Sequence, residues 1–331
     1  MNSFDYTQNQ DKKLEKSKYK IINEYKLKNQ EISSLNFNSH NLILFVGIGK
    51  KIKIFKFVKN SLQLIGIYLN NREHFSNIYL MKISNLMISG DSEGYLKVFQ
   101  LNDMKQTRYI QKFKGHFACL SCIAMSIQEN EIITSSVNST IKFWNQKNNW
   151  KCFQTIDKHR DLLLGFSLNE QGNQLISYGF DDFILVIEKS KNNKLWQVIQ
   201  KISNKMIEGG RISFISNVLF FIQPKQKDIM IVYSKKDNEK IFSYTSEIKL
   251  QASSSGLDCL SKQQFLRSKL LLITKLGQYV NCIRLNEDGS VIFQDYKDLG
   301  NSNFKVLLTD DANYLFVANK DFHKLQIRQY F

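Results

Sequence analysis

Two neighbouring segments of this 331-residue chain share one pattern almost residue for residue. The first reads Lys114-Gly115-His116, then Ile132-Ile133-Thr134-Ser135-Ser136, then Ser139-Thr140-Ile141-Lys142-Phe143-Trp144-Asn145. The second reads Asp157-Lys158-His159, then Leu175-Ile176-Ser177-Tyr178-Gly179, then Asp181-Asp182-Phe183-Ile184-Leu185-Val186-Ile187-Glu188. Trp144 lies 28 residues after His116, and Ile187 lies 28 residues after His159. A fixed internal period constrains a fold more than any local signal, because each unit must bury its apolar face against a copy of itself.

The closing strand of the pattern recurs along the chain. Taking Trp144 as the anchor, the equivalent residues are Phe55, Phe99, Ile187 and Tyr233, so successive anchors step by 44, 45, 43 and 46 residues. The apolar runs are 5–7 residues long and rich in Ile, Val and Phe, which fits four short strands per unit and not a helix pair. Asn169-Glu170-Gln171-Gly172-Asn173 is a hairpin turn between two of them. Two further units follow around Tyr279 to Leu285 and Leu325 to Tyr330, the sixth after a longer step. Seven units leave a spare strand, Tyr19 to Leu27, ahead of the first unit at Ile32 to Phe37, while the last unit ends one strand short. The spare strand fits the vacancy, which closes a ring and removes sheet edges that invite aggregation. The chain is therefore expected to be all-β: a seven-bladed β-propeller of four-stranded antiparallel blades over residues 18–331, with residues 1–17 a polar tail.

The Gly-His opening and Trp closing of the third unit resemble the WD-repeat family of β-propellers. The resemblance implies a hydrogen-bonded tetrad of His, Ser/Thr, Asp and Trp in each complete unit. Carried over, the third unit offers His116, Thr134, Asn138 and Trp144, and the fourth offers His159, Ser177 and Asp181 with Ile187 in place of Trp. Asn138 cannot make the charge-assisted bond of an Asp, and Ile187 lacks the indole donor. In the second unit Glu93 stands where the turn Asp would be. The fold survives such losses because apolar burial between blades dominates and each hydrogen bond nets only about 0.5–1.5 kcal/mol. The two histidines are structural on this reading.

The net charge of +16 raises the question of an acidic partner. Nearly all of it is Lys, with only seven Arg, in a chain rich throughout in Lys, Asn, Ile, Phe and Tyr. A solvated lysine surface accounts for it without a nucleic acid. The five cysteines form no secreted disulfide framework, and Cys119-Leu-Ser-Cys122 lacks the second pair that a zinc site needs. The N-terminus has no apolar signal segment, and no apolar run reaches the roughly 18–20 residues of a membrane span. A cytoplasmic or nuclear location without membrane insertion is expected.

No G-x-S-x-G, phosphate-cradling or H-E-x-x-H motif occurs, and Asp181-Asp182 and Asp310-Asp311 sit at turns, where Asp bonds the backbone. No cofactor, metal or catalysis is expected. Lys50, Lys51, Lys53, Lys56 and Lys59 with Phe55 and Phe57 could track RNA, but Phe55 is an inter-blade anchor. In WD-repeat propellers partners commonly dock on the loops entering each innermost strand. Here those loops carry Arg72 and His74, Lys158 and Arg160, and Arg211, and arginine is enriched at binding hot spots. The function expected is a non-catalytic scaffold, monomeric within a larger assembly, that presents loops to protein partners. The alternative is a propeller subunit of an RNA-associated complex.

Overall fold

In the computed structural model, residues 19–27, 32–38, 40–70, 73–101, 109–181, 183–203, 210–225, 227–236, 239–252, 263–286 and 289–330 are described. They form 28 strands and two 3₁₀ turns. Strand β1 (Tyr19–Lys26) stands apart from its neighbours in sequence. Blade one is β2 (Ile32–Phe37), β3 (Ile43–Ile48), β4 (Lys51–Val58) and β5 (Ser61–Leu69). Blade two is β6 (Phe75–Leu80), β7 (Leu86–Asp91), β8 (Tyr95–Gln100) and β9 (Gln111–Lys114). Blade three is β10 (Leu120–Met125), β11 (Glu131–Ser136), β12 (Ile141–Asn145) and β13 (Lys151–Ile156). Blade four is β14 (Leu163–Leu168), β15 (Gln174–Gly179), β16 (Phe183–Lys189) and β17 (Trp196–Ser203). Blade five is β18 (Gly210–Ser216), β19 (Leu219–Pro224), β20 (Ile229–Ser234) and β21 (Ser243–Lys249). Blade six is β22 (Gln264–Leu266), β23 (Leu271–Leu276), β24 (Tyr279–Leu285) and β25 (Val291–Asp298). Blade seven is β26 (Phe304–Leu308), β27 (Tyr314–Asn319) and β28 (Lys324–Tyr330).

Blade seven is completed by β1, which pairs antiparallel with β28 from Tyr19 opposite Tyr330 to Lys26 opposite Lys324. The ring thus closes as the strand count requires. Tyr19 and Tyr330 meet edge to face at 5.2 Å across this seam.

The core is seven apolar layers, one between each pair of neighbouring blades. The two middle strands of each blade face a layer on either side, so β11 and β15 are buried at every residue. Their burial does not alternate along the strand, whereas that of the outer β13 does. In six of the layers an apolar anchor packs against the preceding blade, and its neighbour in sequence packs against the following one. Trp144 joins Ile88, Leu96 and Val98 of blade two, while Phe143 joins Leu163, Phe166 and Leu175 of blade four.

At Phe55, Trp144, Ile187, Tyr233 and Ile283 the pairing with the outer strand slips by one residue, a β-bulge that adds twist to the blade. The same slip occurs between Ile327 and Arg328 against β1, making Arg328 the anchor of the last blade. The seven innermost strands enclose a central cavity of about 640 Å³. Its described lining includes Ser33, Asn77, Ser121, Arg211 and Lys305, with no Asp or Glu.

Candidate partner-binding face

Because strands alternate in direction, the loops between second and third strands share one face of the ring with the loops that enter the next blade. The histidine networks lie just beneath that face. In blade three, Thr134 Oγ1 accepts from Trp144 Nε1 at 2.9 Å and sits 2.8 Å from His116 Nε2. His116 Nδ1 lies 3.1 Å from Thr140 Oγ1, whose hydroxyl donates to Asn138 Oδ1 at 2.8 Å. Each hydroxyl has one proton. Thr140 spends its proton on Asn138, so His116 donates through Nδ1, and Nε2 accepts from Thr134. The imidazole is neutral. Burial, with the Lys142 ammonium adding to it, pushes the His116 pKa down to about 4, against a smaller upward pull from Asn138. Asn138 is thus in the network, but at one remove, through Thr140.

Blade four solves the same problem with charge. His159 Nδ1 lies 3.0 and 2.9 Å from the two oxygens of Asp181, and Nε2 lies 2.7 Å from Ser177 Oγ. Phe183 stacks on the imidazole at 5.4 Å. Asp181 also accepts from the backbone N–H of Arg160 at 2.9 Å, so the network fixes the loop that carries Arg160.

Blade two dispenses with the histidine network. Buried Asp91 accepts from Lys97 Nζ at 2.9 Å and from the N–H groups of Glu93 and Tyr95 at 3.1 and 2.9 Å. The acid that organises this turn is therefore Asp91, two residues before the expected Glu93. Gly94 then brings its carbonyl to the N–H groups of Gly115 and His116 at 2.9 and 3.0 Å. Its φ of +84° and a would-be Cβ 2.3 Å from the His116 carbonyl oxygen require glycine there.

Three of the five proposed partner contacts, His74, Lys158 and Arg160, are exposed on this face. Arg72 lies outside the described residues. Arg211 does not stand on a loop tip. It is the second residue of β18, only 8% exposed, and its Nη1 donates to the Lys275 carbonyl at 3.1 Å. The physical reason is that β18 begins at Gly210, so Arg211 already lies inside the ring. It lines the central cavity and does not project from the rim.

The residue sequence reasoning missed is Phe117, which is 86% exposed. It follows His116 as Arg160 follows His159, so it occupies the same loop position one blade earlier. Lys142 Nζ stands 5.7 Å from its ring centre. Leu162 is also exposed, and Ser139 Oγ donates to the Asp161 carbonyl at 2.7 Å, tying the loops of blades three and four together. The result is an aromatic side chain and two cations on a braced surface. The lysine–aromatic run of β4 is a different matter. Phe55 is buried in the layer between blades seven and one, so it offers no base-stacking surface.

Among the described residues no group of three or more His, Cys, Asp or Glu side chains is placed to hold a metal ion, and no helix is long and apolar enough to cross a membrane.

Seven four-stranded blades closed by an N-terminal strand, with a His–Thr–Trp network beneath one face, give the chain the architecture of a WD-repeat β-propeller. Residues 107–145 match the family described as WD domain, G-beta repeat. The p21-activated protein kinase-interacting protein 1-like of Xenopus laevis is 22% identical over 167 residues, covering 50% of this chain. That match spans only 38% of the relative's length. A chain in the crystal structure of the mitotic checkpoint complex is similar in fold, with a TM-score of 0.75 over 94% of this chain and 96% of that one, at 10% identity.

Proposed function

We propose that the chain is a non-catalytic scaffold that docks protein partners on the loop face of blades three and four. The observation that carries this reading is Phe117, a large aromatic held in solvent on a loop whose preceding residue is locked into a buried network. Aromatic and arginine side chains dominate binding hot spots, and here Phe117 and Arg160 occupy equivalent positions on adjacent blades. The relative named for interacting with a kinase supports a protein partner. The partner's matching surface would be apolar with carboxylates, to meet Phe117 and the Lys158–Arg160 pair. The free thiols of Cys119, Cys122, Cys152 and Cys282 support a reducing, cytoplasmic or nuclear setting.

The test is affinity purification of the full chain beside the triple variant Phe117→Ser, Lys158→Glu, Arg160→Glu. Loss of the co-purifying proteins with an unchanged melting temperature is the expected result. An unchanged set of partners would reject this face. The net charge of +16 keeps an RNA-associated role as the second reading. RNA binding that falls steeply with salt would favour it, and no binding at low salt would remove it.

A further inference from the structure

The opposite face of the ring carries the turns between first and second strands, and these turns divide the molecule into two halves. In six blades the turn contains a residue in the left-handed region: Asn41, Asn85, Glu129, Gly172, Leu270 and Ala312, with φ between +48° and +66°. Two residues earlier, at the most outward position, blades four, six and seven place Glu170, Ser268 and Asp310. These are ordinary turn residues for an exposed site. Blades two and three instead place Ile83 and Ile127, which are 72% and 56% exposed. Leu42 of blade one, beside the left-handed Asn41, is 52% exposed. Exposed branched aliphatics therefore stand on these turns in three consecutive blades, at the same position in blades two and three and next to the left-handed residue in blade one.

These side chains are not loose ends. The Glu129 carboxylate reaches across from blade three and accepts from the N–H groups of Lys82, Ile83 and Ser84 and from the Ser84 hydroxyl, the last two at 2.8 and 2.9 Å. Burial would raise the Glu129 pKa, but these donors outweigh it and hold the carboxyl below its usual range. Asn38 Oδ1 accepts from the N–H groups of Leu42 and Ile43, both at 3.0 Å. Ile127 leans on blade four, where a Cβ added to Gly172 would come within 3.2 Å of its Cγ1. An apolar side chain on a floppy turn can fold back against the protein. On a clasped turn it cannot, so the exposed area persists.

We propose that the turns of blades one to three form a second docking surface, bearing Leu42, Ile83 and Ile127, for an acidic amphipathic helix of a partner protein. The occupant follows from charge and from backbone accounting. Exposed Lys82, Lys56, Lys59 and His40 flank the apolar row, while Glu129 is spent inside the clasp. The turn N–H groups are already bonded to Glu129 and Asn38, so an added strand would find nothing to pair with. A helix with apolar residues one turn apart and carboxylates at its flanks meets both demands. This surface is independent of the loop face of blades three and four.

The probe is a synthetic helical peptide with Leu along one face and Glu on its flanks, labelled for fluorescence anisotropy and titrated with the full chain. Its controls are a scrambled peptide and one with Lys for Glu. The Glu peptide should bind, weaken with added salt, and lose about tenfold in affinity to the Ile83→Ser, Ile127→Ser variant. That variant should melt no lower than the parent, since polar residues hold the same position in three other blades. The Phe117→Ser, Arg160→Glu variant should bind the peptide unchanged, which separates the two faces. Equal binding of the scrambled or Lys peptide, or undiminished binding by the serine variant, would overturn the proposal. So would a concentration-dependent dimer, in sedimentation, that the serine variant abolishes, because a second copy would then be the occupant.

Discussion

Blades three and four hold a histidine at the same point and against the same kind of hydroxyl, yet they complete its bonding in opposite electrical ways. The decisive difference is the residue four before the anchor, Thr140 in one and Phe183 in the other. Phe183 stacks on His159 and leaves the Nδ1 side open, so Asp181 reaches the ring directly. Thr140 interposes its hydroxyl, so the turn residue needs only to accept, which an Asn does as well as an Asp. Asn138 with Thr140 and Asp181 with Phe183 are two matched pairs. Reading Asn138 as a weakened Asp overlooks its companion. Both versions hold a docking loop by its backbone, and charge is optional to that task.

The comparison breaks first at the acid. Asp181→Ala would leave His159 and the Arg160 N–H without their buried acceptor, and should cost about 4 kcal/mol in urea unfolding. Asn138→Ala orphans only one half-buried hydroxyl and should cost about 1 kcal/mol. Equal losses would mean that the two networks do the same electrostatic work.

Acid should separate the blades next. His116 has a folded pKa of about 4 against an unfolded value near 6.5, so the unfolded chain binds its proton first as pH falls. The contribution of neutral His116 is intact above about pH 6.5 and is lost progressively down to about pH 4, on the order of 3 kcal/mol in total. Stability measured across that range in His116→Asn should fall by correspondingly less, and parallel curves would refute the assignment. Thr134→Ala comes third, at about 2 kcal/mol, because one hydroxyl serves both the Trp144 indole and His116.

Where one residue type can do a job alone, the sequence is transparent. Anchors at Phe55, Trp144 and Tyr233 are large and apolar because they fill a layer, so their spacing reveals the blades and the closing strand. Jobs done by pairs are opaque. Lys97 and Asp91 replace a tetrad in blade two, but six residues apart they look like ordinary surface charges. Arg328 occupies the last anchor position, where its guanidinium bonds Gln326 Oε1 at 2.7 Å, and no apolar periodicity could find it. Arg211 is hidden for a different reason: Gly210, a residue type that reads as loop, is already the first residue of β18. Phe117 and the outward isoleucines are apolar residues in polar surroundings, and only the register between blades shows that they stand at equivalent, exposed positions.

The smallest effect is the sharpest test of the matched pairs. Asn138→Asp restores the turn carboxylate but leaves Thr140 in place. If Thr140 already completes the bonding of a neutral His116, the new charge gains little at neutral pH, less than about 1 kcal/mol either way, because the half-buried carboxylate is itself partly desolvated. In acid the outcome differs. A carboxylate near the ring favours the imidazolium, so the His116 pKa should rise from about 4 and the acid loss should shrink. Replacing Thr140 with Phe in the same chain should let the carboxylate reach Nδ1 and enlarge that shift, giving blade three the chemistry of blade four. A single Asn138→Asp change that stabilised the fold strongly at neutral pH would show that Thr140 is a bystander and that blade three is an incomplete copy of its neighbour.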